Sequence, residues 1–183
     1  MISPAHVITA SHVVAQARKK HSLLTASVGT TLFDCDVKFD SPEHDLCVLQ
    51  IASTVAPGDQ PPQQHPATYA LNPSHGMSVG FMGRLHRKDR SGEDRAYTAF
   101  FPASLSFFLR GPDSGTLWAL SGGFAEAGFS GGPVFDRDGA LVGVVVQTLQ
   151  FAAGGENAVP YVVNLPVMSA IAPVLTQVTR AIQ

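Results

Sequence analysis

The chain reads as a succession of short apolar runs. His6–Ala10 (HVITA), Leu23–Gly29 (LLTASVG), Thr31–Phe39 (TLFDCDVKF), Asp45–Ile51 (DLCVLQI), Met77–Gly83 (MSVGFMG), Ala140–Gln150 (ALVGVVVQTLQ) and Val159–Leu165 (VPYVVNL) are rich in Val, Ile, Leu, Phe and Thr, with Gly, Pro, Ser or Asp at their borders. β-Branched and aromatic side chains suit a pleated, half-buried surface, so each run predicts a strand. Many short strands separated by turn residues, without the alternating long helices that a parallel sheet needs, predict an all-β barrel or sandwich. Near the end, Val167, Ile171, Val174, Leu175, Val178 and Ile182 recur close to helical spacing. Pro173 fits best in a first helical turn, so a short or broken C-terminal helix is expected to cover a barrel.

Two segments break the strand pattern. Residues 53–76 hold five prolines among polar side chains, which cannot form a central strand and read as an extended connector. It divides the chain into a β-rich part at 1–52 and another at 77–183. Arg84–Arg95 (RLHRKDRSGEDR) mixes charges of both signs and reads as a solvated hairpin loop.

Composition narrows the possibilities. At 183 residues and 45% hydrophobic the chain can bury a real core. A net charge of -2 and a pI near 6.4 give no electrostatic reason to expect nucleic acid or an anionic membrane as partner. No run reaches the ~18 apolar residues of a spanning helix, and the opening residues lack the pattern of a secretory leader. The two cysteines, Cys35 and Cys47, lie inside apolar runs and read as small buried hydrophobes, which makes the cytoplasm the expected compartment. Trp118 and the Phe100–Phe101 pair read as core. His6, His21, His44, His65, His75 and His86 show no ligand-like spacing, so no metal and no cofactor are expected.

Chemistry concentrates in Gly128–Asp136, GFSGGPVFD. Three glycines and a proline around Ser130 let the backbone turn sharply and leave both a hydroxyl and neighbouring N–H groups facing outward, which suits a nucleophile with an oxyanion hole. His12 follows a β-branched strand and two small residues. Asp45 comes 33 residues later at the head of an apolar strand, and Ser130 another 85 residues on. This chain order, His then Asp then Ser, is that of the chymotrypsin-type triad and differs from the orders of subtilisin and the α/β-hydrolases.

Thr9-Ala10-Ser11-His12, Asp45-Leu46-Cys47-Val48-Leu49 and Gly128-Phe129-Ser130-Gly131-Gly132-Pro133 resemble the three signatures of the trypsin/chymotrypsin-like serine protease family. The likeness covers about residues 2–165 and is closer to the compact, disulfide-poor bacterial branch. It implies a two-barrel chymotrypsin-like fold, with residues 1–52 as the first barrel, 53–76 as the connector, and 77–183 as the second barrel with its helix. It implies a serine endopeptidase in which His12 is the base, Asp45 orients it, Ser130 attacks, and the N–H groups of Gly128 and Ser130 form the oxyanion hole. By the same likeness Phe124 and Ala125 on one side, and Val146, Gln147 and Thr148 on the other, line the primary pocket. No acid lies at its base, so an uncharged residue is expected before the cleaved bond.

Two departures from the family pattern stand out. Phe129 occupies the place where many members carry an aspartate that grips a newly cut N-terminus, so that salt-bridge switch is absent. Only six residues precede VITASHVV, and the first barrel is expected to lack part of its wall, completed by upstream sequence, or by another domain or partner through β-augmentation, or left reduced. The expected partner of the site is a protein or peptide substrate. Two alternative readings remain: a catalytically silent scaffold that binds peptides or regulates, and a protease dedicated to self-cleavage or to one partner.

Overall fold

The computed structural model describes residues 5–28, 31–52, 68–110, 116–153 and 161–182. Most of the proline-rich connector, residues 53–67, lies outside the described residues, as do Gly29, Val159 and Pro160 at the ends of two predicted strands. The first half is a four-stranded antiparallel sheet in the order β1-β4-β3-β2, made of β1 (His6–Thr9), β2 (Thr25–Val28), β3 (Thr31–Ser41) and β4 (Leu46–Ile51). It is an open half-barrel. The second half is a closed barrel in the order β10-β7-β6-β5-β8-β9, made of β5 (Ser78–Lys88), β6 (Asp94–Arg110), β7 (Thr116–Ser121), β8 (Pro133–Asp136), β9 (Leu141–Ala153) and β10 (Tyr161–Ala170). The fold is therefore all-β and two-part, as the strand pattern predicts.

The unbroken apolar run of β4 has a simple cause: both of its faces are covered. Cys47, Leu49 and Ile51 pack with Val14, Phe33 and Cys35 beneath helix α1 (Ser11–Lys19). Leu46 and Val48 face the other way, into a seam shared by Ile8, by Leu141 and Val144 of the barrel, and by Ile171, Val174 and Val178 near the C-terminus. Burying such side chains supplies about 1.5–3 kcal/mol each, so this seam fixes how the halves meet. Helix α2 (Leu175–Ala181), entered through a 3₁₀ turn at Ala172–Val174 that contains Pro173, lies on the seam rather than capping one barrel. Val167, counted with the helix from its spacing, belongs to β10 instead.

A bulge in β3 changes which face its side chains take. Val37 pairs with Leu49 but Phe39 with Val48, so Lys38 is an extra residue in the ladder. Phe39 thereby turns onto the seam, while Asp40, opposite Cys47, turns toward the face where α1 lies.

Two expectations need correction. Arg84–Arg95 is mostly strand: β5 runs to Lys88 and β6 starts at Asp94, and the loop shrinks to residues 89–93, where the Asp89 carboxylate accepts the N–H groups of Ser91 and Glu93. Phe100 is exposed, because consecutive residues of β6 alternate between faces; Phe101 packs inward while the Phe100 ring lies outside over Gly80, where a Cβ would collide with it. A nine-residue helix, α1, which the strand pattern does not announce, follows β1. Trp118 is buried in the barrel core, and both cysteines are buried and free. Among the described residues no helix is long and apolar enough to cross a membrane.

Candidate active site

His12 stands in the first turn of α1. The residue before the helix, Ala10, is fully buried against Val146 and Val167, and as an alanine it has no side-chain group to cap the helix start. Ser11 ties that end down instead: its N–H donates to the Asp45 carbonyl at 3.2 Å and its hydroxyl to Asp40 Oδ1 at 2.6 Å.

Asp45 is delivered by a tight turn. A 3₁₀ turn at Pro42–His44 leads into it, its N–H donates to the Pro42 carbonyl at 3.1 Å, and its backbone is left-handed at φ 50° and ψ 41°, which few residues other than Gly, Asn and Asp adopt readily. Buried Ser41 braces the turn with its hydroxyl on Glu43 Oε1 at 2.7 Å and on His44 Nδ1 at 2.9 Å. The Ser41 hydroxyl holds the Glu43 carboxyl below its ordinary pKa. His44 is thus engaged with the turn.

The two residues meet through both oxygens of the carboxylate. Asp45 Oδ2 lies 2.7 Å from His12 Nδ1, and Oδ1 accepts the His12 backbone N–H at 2.9 Å. A carboxylate on Nδ1 holds the proton there and leaves Nε2 with its lone pair. Each side chain remains about a third exposed, His12 at 34% and Asp45 at 29%, so the ring is open to a ligand.

Ser130 comes from the other half, on the loop between β7 and β8. Gly128 and Gly131 flank it at φ +102° and +85°. Gly131 packs against the strand that leads to His12: a Cβ there would collide with Thr9 Oγ1 and lie 3.5 Å from the Ala10 nitrogen. The Gly131 N–H donates to the Val145 carbonyl and that of Gly132 to the Phe129 carbonyl, both at 2.8 Å, while the Gly128 carbonyl accepts the Arg84 N–H at 3.1 Å. Among the described residues, nothing engages the N–H groups of Gly128 or Ser130, and no hydrogen bond joins Ser130 Oγ to the His12 ring. The fold therefore brings histidine and aspartate into direct contact, and sets the serine loop against the histidine segment. In ligand-free proteases the serine–histidine bond is often long and tightens with substrate.

The expected pocket residues divide. Phe124 is 41% exposed, its ring 4.9 Å from that of Phe101. Gln147 is exposed and Thr148 half-buried. Ala125 and Val146 are buried, in the barrel core and against Ala10, so, against expectation, neither lines an open pocket. The sequence reading missed the Ser11–Asp40 bond and the seat of Phe129 among Phe81, Phe101 and Phe124. Among the described residues no group of three or more His, Cys, Asp or Glu is placed to hold a metal ion.

An open half-barrel and a closed barrel meeting at a histidine, a carboxylate and a glycine-framed serine define a chymotrypsin-like serine protease. Residues 1–144 match the model of the trypsin-like peptidase domain, and the chain belongs to that family. Among solved structures it is similar to the active form of the Rv3671c protease from M. tuberculosis, at 25% identity over 98% of this chain and 70% of that one, with a TM-score of 0.65. An inactive form of Rv3671c from M. tuberculosis H37Rv with a serine-to-alanine substitution matches at 24% identity, 99% and 78% coverage and a TM-score of 0.63. The HtrA-type protease AlgW with a decapeptide matches at 15% identity over 100% of this chain and 50% of that one, TM-score 0.62, which speaks for the fold alone. No curated protein matches the sequence.

Proposed function

We propose that this serine protease is an endopeptidase that works through His12, Asp45 and Ser130 and an acyl-enzyme on Ser130. The observation that carries the reading is the bidentate grip of Asp45 on His12 with the serine loop packed on Thr9 and Ala10. An unassisted serine hydroxyl is a poor nucleophile at neutral pH, so His12 Nε2 takes its proton as Oγ attacks the substrate carbonyl. Asp45 holds the ring in the required tautomer and stabilises the imidazolium. The carbonyl oxygen becomes negative in the tetrahedral intermediate and is met by the N–H groups of Gly128 and Ser130. Losing one such donor costs about 10²–10³ in rate in a comparable protease. The protonated His12 then gives its proton to the leaving amine, and a water repeats the sequence to release the acyl group.

Phe124, with the side chains of Gln147 and Thr148, forms the wall for the residue before the cut bond. An exposed aromatic ring suits an uncharged, apolar side chain.

Fluorophosphonate labelling tests the reading. The parent chain is expected to label and Ser130→Ala to stay dark; a parent chain that does not label favours the silent peptide-binding scaffold. Incubation with a proteome extract separates general proteolysis from a single dedicated target, and a peptide library showing preference for Lys or Arg before the cut overturns the pocket assignment.

A further inference from the structure

The loop carrying Ser130 owes its order to its contacts rather than to the stiffness of its residues. Three of the five residues Gly128–Gly132 are glycine, and the positive φ values at Gly128 and Gly131 lie where only glycine moves freely. The one bulky side chain in that stretch, Phe129, is 1% exposed. Its ring centroid lies 6.0 Å from Phe81, 5.8 Å from Phe101 and 6.3 Å from Phe124. Gly83 on β5 makes the space: a Cβ there would run into three carbons of the Phe129 ring. The Phe129 backbone is held as well, its N–H on the Glu126 carbonyl at 3.1 Å and its carbonyl on the Gly132 N–H at 2.8 Å.

We propose that Phe129 is the positioning residue of the oxyanion hole: its ring, seated over Gly83, fixes the loop by apolar packing, in the place where an aspartate of related proteases fixes it by an ion pair. This rests on the reading of the Gly128 and Ser130 N–H groups as the oxyanion donors. The mechanism is geometric. The Ser130 N–H belongs to the peptide plane that Phe129 begins, and that plane turns with the ψ angle of Phe129. The seated ring fixes the Phe129 Cα at one end of that plane, and the Gly132 N–H holds the Phe129 carbonyl within it, so the plane is restrained by packing and by a hydrogen bond together. The donors are then aimed before substrate arrives, which is where fixed dipoles act most strongly on the transition state.

The test compares Phe129→Ala, Phe129→Leu and Gly83→Ala with the parent chain. kcat and KM are measured on an activated peptide ester, labelling rates with a fluorophosphonate, folding by thermal unfolding, and loop order by amide hydrogen exchange of residues 126–132. Phe129→Ala and Gly83→Ala are expected to lower kcat and the labelling rate by about tenfold or more with KM within about twofold, since the donors act on the transition state. Exchange in the loop is expected to speed up, and Phe129→Leu to recover most of the lost rate. A folded Gly83→Ala with the parent's kcat and exchange overturns the proposal. If Phe129→Ala fails to fold, Gly83→Ala decides, because it displaces the ring without removing it. A parent chain that neither labels nor turns over ester sinks the catalytic reading alone; the anchor is then judged by exchange, and unchanged exchange in Gly83→Ala overturns it.

Discussion

Ser11 and Asp40 join two elements that the chain keeps 29 residues apart: the Ser11 hydroxyl donates to Asp40 Oδ1 at 2.6 Å, one residue before His12. Because the same serine also donates its N–H to the Asp45 carbonyl, it links α1, β3 and the turn that presents the carboxylate. Ser11→Ala is expected to cost about 1 kcal/mol of stability, the worth of an ordinary hydrogen bond, and to lower kcat severalfold by loosening the end of α1 that carries His12. A double-mutant cycle with Asp40→Ala checks it: the two losses are expected not to add. Unchanged kcat in both single variants would show that α1 keeps its place without this bond.

Asp45→Asn separates orientation from folding. An amide at this position donates to Nδ1 and leaves the proton on Nε2, the tautomer that cannot accept from Ser130. kcat is expected to fall about 10⁴-fold, as in a comparable triad, with the circular dichroism spectrum unchanged. Kinetics on a chromogenic peptide ester measure it.

Cys47 makes stability depend on alkaline pH. It is fully buried, and burial pushes its thiol from the ordinary 9.0 up to about 12. The folded state therefore keeps the proton where the unfolded chain gives it up. Stability from this group is complete below pH 9 and is lost as pH rises from there toward 12, by about 1.4 kcal/mol per pH unit. Thermal midpoints of the parent chain and Cys47→Val across this range are expected to diverge, with the parent falling faster. Native Cys47 is also expected to resist thiol reagents at pH 8, because the thiolate is the reactive form.

Ile171→Ala probes the seam. Ile171 is fully buried between the two halves, and truncating such a side chain costs about 2–5 kcal/mol. Denaturant titration is expected to show a lower midpoint, with activity lost at a lower concentration than the β-sheet signal of the closed barrel. Coincident loss at every concentration would mean that the halves do not separate first.

How much of this is legible in the sequence follows from the range of the interactions involved. β4 is plain because both of its faces are apolar, and β9 because its valines cluster; neither needs knowledge of its neighbours. β6 is hidden because Pro102 interrupts it and because Phe100 and Phe101 look alike although one faces solvent. Helix α1 is hidden because Val13 and Val14 continue a strand pattern, and the segment turns helical only once Ser11 finds Asp40 and Asp45. His12 and Asp45 could be singled out from chain order and local wording, and the fold brings their side chains into contact. The seat of Phe129 could not, because it depends on a missing side chain at Gly83, some 46 positions earlier.

The extra residue in β3 has a reach beyond its own strand. Were Lys38 paired with Val48 instead of bulged out, the ladder would run on in phase, opposing Phe39 to Cys47 and Asp40 to Leu46, which would drive an acidic side chain into the oily joint and crowd an aromatic ring under the histidine helix. Deleting Lys38 itself should therefore be borne, since Phe39 would still oppose Val48 and Asp40 Cys47, whereas a slip that draws Lys38 into the ladder turns every later side chain of β3 to the wrong face.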